Sequence, residues 1–135
     1  MPTPLLAFLA ATLPMLAIDA VWLIVMSKRF YAPRIGHLMA PSPDFIPVIA
    51  FYLLYGIGLT VLVVLPALRG GWNTSHAFLM GALLGLVAYG TYDLTNQATL
   101  LNWPVSVTIV DLLWGGLLTG SVAVIGLVIT QRISA

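Results

Sequence analysis

Asp19, Asp93 and Asp111 stand inside long apolar runs, while the fourth acid, Asp44, lies outside them. A carboxylate at the centre of a membrane helix costs roughly 2.5–3.5 kcal/mol, and each good apolar residue returns only roughly 0.3–0.6. Three such acids need partners, and acids within a membrane mark sites for protons, ions or polar substrates. No Lys or Arg lies in these runs; Lys28 and Arg29 are about 9–10 residues, or ~14 Å of helix, from Asp19. Helical spacing sets Tyr89 and Asn96 on the face of Asp93 with Tyr92 alongside, Thr108 and Gly115 on that of Asp111, and Thr12 and Trp22 on that of Asp19. Trp22 and Trp114 each follow an aspartate by three residues, and an indole N–H can donate to a carboxylate. The candidate ligand- or proton-binding residues are therefore Asp19, Asp93, Asn96, Asp111, Tyr89, Tyr92, Trp22 and Trp114, to which Tyr52 and Tyr55 can be added. The carboxylates of Asp19, Asp93 and Asp111 with Asn96 make an all-oxygen donor set suited to magnesium or manganese rather than zinc, so the three acids are also candidate metal ligands.

The elements that must position these residues are membrane helices. The chain has 135 residues, of which 61% are hydrophobic and 7% charged, where soluble domains carry roughly a quarter charged. That length holds about four spans of ~20 residues and no separate soluble domain. The pattern predicts a single all-α domain over 1–135, an integral membrane four-helix bundle with spans near 5–26, 45–68, 77–97 and 104–130. Pro14 predicts a kink in the first span. Residues 27–44 read as the longest connection, Asn102-Trp103-Pro104 as a cap followed by a first-turn proline, and Asn73-Thr74-Ser75 as a polar turn. Tyr31, Trp72 and Trp103 sit where interface anchors belong.

Composition also excludes chemistries. Without cysteine there is no disulfide, thiolate ligand or thiol nucleophile. His37 and His76 lie outside the apolar runs, which leaves a bis-histidine haem unsupported. Lys28, the single lysine, sits at a helix end, which argues against a retinal Schiff base. A formal net charge of +1 offers no footing for nucleic acid.

Lys28, Arg29 and Arg34 all fall in the first connection, Arg69 in the second and Arg132 in the tail. The positive-inside rule then puts the first and third connections in the cytoplasm and both termini in the periplasm. With that orientation the three acids lie ~6–10 Å below the cytoplasmic boundary, at nearly one level. Gly81-x-x-x-Gly85, Gly116-x-x-x-Gly120 and Gly56 allow close helix approach. Tyr52-Leu-Leu-Tyr55-Gly56 through Thr60 aligns without a gap on Asp111-Leu-Leu-Trp114-Gly115 through Thr119, a pattern of two pseudo-repeated hairpins.

Asp19-x-x-Trp22-Leu23, Lys28-x-Phe30-Tyr31, Tyr92-Asp93-Leu94-Thr95-Asn96, Trp103-Pro104 and Val110-Asp111-x-x-Trp114-Gly115 together resemble a bacterial family of predicted four-span inner-membrane proteins, a domain of unknown function. The chain departs from that pattern at Gln97, where an apolar residue is expected, and at Leu101, where lysine is common. The resemblance implies a bacterial cytoplasmic membrane and supplies no reaction; it selects Asp19, Asp93, Asn96 and Asp111 again. The leading functional reading is a cytoplasm-facing binding site for a proton, a cation or a polar lipid-like ligand. The alternatives are a membrane-embedded lipid-modifying enzyme, an accessory subunit of a larger membrane complex, and a polar network that only locks the helices. Expected partners are membrane lipids, further copies in a homo-oligomer, or the larger complex.

Overall fold

The computed structural model describes residues 1–134. Four helices, Thr3–Leu38, Phe45–Gly70, Thr74–Thr99 and Val105–Ser134, are each long and apolar enough to cross a membrane, and the described residues contain no strand. The chain is thus an all-α membrane bundle. Large aliphatic side chains such as Ile24, Leu54 and Leu113 point outward, while glycines, threonines and the three aspartates line the interior. This distribution suits a bundle whose outer solvent is hydrocarbon.

The first helix is longer than its apolar run. An α-helix over Thr3–Met26 passes into a π-turn at Ser27–Tyr31 and short helical pieces at Ala32–Ile35 and Gly36–Leu38, so residues 27–38 belong to the helix and not to the connection expected there. Lys and Arg are good helix formers whose heads reach water while their stems stay on the helix, and so a basic stretch ends a span without ending a helix. Pro14 lies within the continuous α-helical stretch. The second helix starts at a cap, Asp44 Oδ1 accepting from Ile46 N at 3.1 Å. It contains a π-turn at Thr60–Val64, just before Pro66. A proline ring clashes with the carbonyl four residues back, and a wider turn there relieves the clash. Gly71 at φ 64° ends the helix, with Trp72 N donating back to Ala67 O at 3.0 Å.

Asn73 of the polar tripeptide caps the third helix, its Oδ1 accepting from His76 N at 2.8 Å. Before the fourth helix Asn102 does not act as the expected cap; it takes φ 59°, the left-handed conformation that asparagine tolerates in tight turns.

The fourth helix is the centre of the bundle, packing along both the third and the first, while the second leans chiefly on the first. Between the third and fourth helices the backbones touch. A Cβ on Gly81 would lie 2.8 Å from both the Thr119 carbonyl oxygen and Ala123 Cβ, and one on Gly85 would fall into the Gly115 carbonyl. Gly126 makes the equivalent approach to Ala11 of the first helix. Met15, Leu59, Val64, Val122 and Leu127 fill the remaining core.

Gly85→Leu is expected to force the third and fourth helices apart, at a cost of roughly 1–3 kcal/mol. Gly58, with nothing near its missing Cβ, should accept alanine without loss. Detergent-solubilised thermal melting of the two variants checks this: an unchanged melting temperature for Gly85→Leu would contradict the packing described.

Candidate functional site

Asp19, on the first helix, is 5% exposed. Its Oδ1 accepts from the Trp114 indole of the fourth helix at 2.9 Å, and its Oδ2 accepts from the Tyr52 hydroxyl of the second. One carboxyl group therefore joins three helices, through hydrogen bonds strengthened by the low local dielectric. Trp22, expected beside Asp19 by spacing, does not bond to it; its ring stacks on Trp114 with centroids 4.1 Å apart and planes 7° from parallel. Trp114 likewise serves Asp19 rather than the aspartate three residues before it. Spacing along one helix reports neighbours on that helix, and the relative rotation of two helices decides which neighbour across the interface is met first.

Asp111 Oδ1 accepts from the hydroxyl of Tyr31, which in turn accepts from the Trp22 indole at 3.2 Å. Tyr31 is thus an internal donor and not the interface anchor that its flanking position predicts. In an unbroken α-helix Trp22 and Tyr31, nine residues apart, would lie roughly 180° apart around the axis. The π-turn at Ser27–Tyr31 takes up one extra residue, which brings the two to roughly 80° and turns Tyr31 inward.

Asp93 is wholly buried. Neither of its oxygens has a hydrogen-bond partner, and the Asp111 carboxyl is its acidic neighbour. Tyr52 and Asp111 occupy matching positions in the ungapped sequence match, and each faces the acid of the preceding helix, Asp19 and Asp93 respectively.

The three acids do not form one cluster. Among the described residues no three Asp, Glu, His or Cys side chains come together to hold a metal ion, so the geometry departs from the expected magnesium or manganese set of Asp19, Asp93 and Asp111. Asp19 is engaged by Tyr52 and Trp114, whereas the acidic neighbour of Asp93 is Asp111. Asn96 sits beside Tyr92 and joins neither group.

Trp103 is also internal, 6% exposed. Its indole donates to Thr108 Oγ1 at 3.1 Å, Thr108 donates to Gln97 Oε1 at 2.7 Å, and Gln97 Nε2 donates to the Trp103 carbonyl at 3.0 Å. This closed ring locks the end of the third helix to the start of the fourth, which fixes Asp93 against Asp111. Gln97, the polar departure from the family-like pattern, closes that ring. Thr108, expected beside Asp111, is used here instead.

Between the helices lies a cavity of about 550 Å³. Asp19 and Asp111 reach into it, with Trp22, Trp114, Tyr89 and Tyr92 from the expected set and Tyr52 and Tyr55 beside them; Asp93 and Asn96 do not line it. Tyr31, Phe51 and Trp103 complete its aromatic wall, and Ile35 and Met39 bring it to the end of the bundle that carries the first and third connections. None of its lining residues is Lys, Arg or His. Phe51 could have been chosen from its place beside Tyr52, and Tyr31 from its place in the Lys28-x-Phe30-Tyr31 string, although nothing in its helical spacing announces the π-turn that turns it inward.

Four apolar helices enclosing a cavity with two buried carboxyl groups and an aromatic wall define a polytopic membrane protein with an internal polar site. The model of a family described as predicted membrane protein (DUF2177) matches residues 4–128, and the chain belongs to that family. No curated protein and no solved structure matches it.

Asp19→Leu is expected to strand the Tyr52 and Trp114 donors and lower stability by about 1–2 kcal/mol, since interhelical bonds in membrane bundles average about 0.6 kcal/mol each. Asp93→Asn should leave stability unchanged or higher, because the amide brings N–H donors that the neighbouring Asp111 can accept. Thermal unfolding followed by size exclusion tests both; the opposite ranking would overturn the partner assignment.

Proposed function

We propose that the chain is a membrane-embedded binding protein whose cavity takes a proton, a cation or a polar lipid-like ligand, with Asp19 and Asp111 recognising it. Asp93 lies behind the site, beside Asp111 and outside the cavity wall. The observation that carries this reading is the cavity itself, which has two buried carboxyl groups on its wall. A volume of about 550 Å³ lies within the range of roughly 300–1,000 Å³ usual for small-ligand sites. An acid kept in a membrane interior only to join helices has no need of an adjoining space; Asp19 and Asp111 have one.

The cavity reaches the bundle end nearest Lys28, Arg29 and Arg34. By the positive-inside rule that end faces the cytoplasm, and both termini lie on the far, periplasmic side of a bacterial inner membrane. The chain has no native cysteine, so Ser42→Cys and Ser75→Cys each give a single thiol at opposite ends of the bundle. A membrane-impermeant maleimide applied to whole cells should label Ser75→Cys and spare Ser42→Cys. The reverse pattern would invert the orientation.

The binding reading is tested by extracting small molecules from protein purified directly into lipid discs. An amphiphile or polar compound held near one per chain by the wild type, and depleted at least fivefold in Asp111→Asn, is the expected result. Identical contents in both proteins, with the variant folded, would remove Asp111 from any binding role.

A further inference from the structure

Resting on that binding reading, we infer that the ligand of this cavity is an organic ammonium cation carrying an apolar chain. The first argument is the sign of the charge. Asp19 and Asp111 are the charged groups on the wall and no basic side chain faces them, so in a low-dielectric interior the site attracts positive charge and repels phosphate or carboxylate headgroups.

The second argument is the wall. Trp22, Trp114, Tyr31, Tyr52, Tyr55 and Tyr89 all border the space, and the electron-rich faces of such rings stabilise cations, quaternary ammonium groups above all. The third is the state of the acids. Asp19 already accepts from Trp114 and Tyr52, and Asp111 from Tyr31. Asp19 thus has a donor on each of its oxygens and Asp111 one on Oδ1, which suits a cation that has few donors or none.

An inorganic divalent ion fits poorly. Magnesium and calcium take six or more oxygen ligands, the described residues bring no three acid or histidine side chains together, and aromatic rings cannot replace a shell of water. The space also has room for a chain. The second helix approaches the third mainly through Thr60–Val64, and nearer the site Phe51 of the second and Tyr92 of the third border the cavity while remaining 45% and 57% exposed. An alkyl chain leaving between these two side chains enters the surrounding lipid.

The experiment uses full-length protein in phosphatidylglycerol discs, with tryptophan fluorescence reporting binding of dodecyltrimethylammonium. The controls are a neutral amphiphile with the same dodecyl chain on an oligo(ethylene glycol) head, tetraethylammonium, and magnesium chloride. Saturable binding of the long-chain cation at least tenfold tighter than its neutral counterpart, without competition from magnesium, is expected. Tyr89→Phe should keep that preference and Tyr89→Leu should reduce it at least threefold; Asp111→Asn should reduce it at least tenfold, and the Tyr89 pair decides the matter if Asp111→Asn does not fold. Equal binding of the neutral amphiphile would overturn the ammonium assignment and leave a binding cavity in place, as would displacement of the cation by magnesium at equal concentration. Saturable binding by neither amphiphile would overturn the ammonium assignment and, with it, the lipid-like-ligand reading of the cavity. Discs that also contain phosphatidylethanolamine separate the sources: weaker probe binding in them points to a bilayer aminolipid, and unchanged probe binding, with competition by tetraethylammonium, to a free organic cation.

Discussion

A carboxyl group inside an apolar bundle must find hydrogen-bond partners there, because lipid supplies none. Asp19 meets this requirement by drawing donors from two other helices, Tyr52 from the second and Trp114 from the fourth. Much of the rest follows. Once Trp114 is turned toward Asp19, its ring offers a face for Trp22 to stack on. Trp22 then presents its indole N–H to Tyr31, and Tyr31 its hydroxyl to Asp111. A single line of contacts thus runs from one cavity acid to the other across the first and fourth helices.

The cavity exists because the bundle is packed unevenly. Glycine-to-backbone contact draws the third and fourth helices together over Gly81, Gly85, Gly115 and Gly120. Nothing comparable joins the second helix to the third. Small residues at an interface let dispersion act between backbones, and a bundle that concentrates them on one interface leaves its bulky tyrosines and tryptophans to prop the opposite side open. The aromatic wall and the glycine seam are two consequences of one distribution of side-chain volume.

Asp93 differs in kind from the other two acids. It is sealed from the cavity and has no donor of its own; what it faces is Asp111. The locked turn of Gln97, Trp103 and Thr108 holds that arrangement in place.

Composition and spacing alone determined that this chain is a bundle of four membrane helices, and the energetic cost of intramembrane charge was enough to single out Asp19, Asp93 and Asp111. Those are local properties, readable because hydrophobic run length and helical periodicity are set by neighbours in the chain. The tertiary structure alone decided which donor serves which acid, that Asp19 stands apart from the Asp93–Asp111 pair, and that Tyr31 and Trp103 turn inward. Each depends on the rotation and separation of helices distant in sequence, or on a π-turn that shifts every later residue by about 100° around the axis, and neither leaves a mark in the pattern of apolar residues.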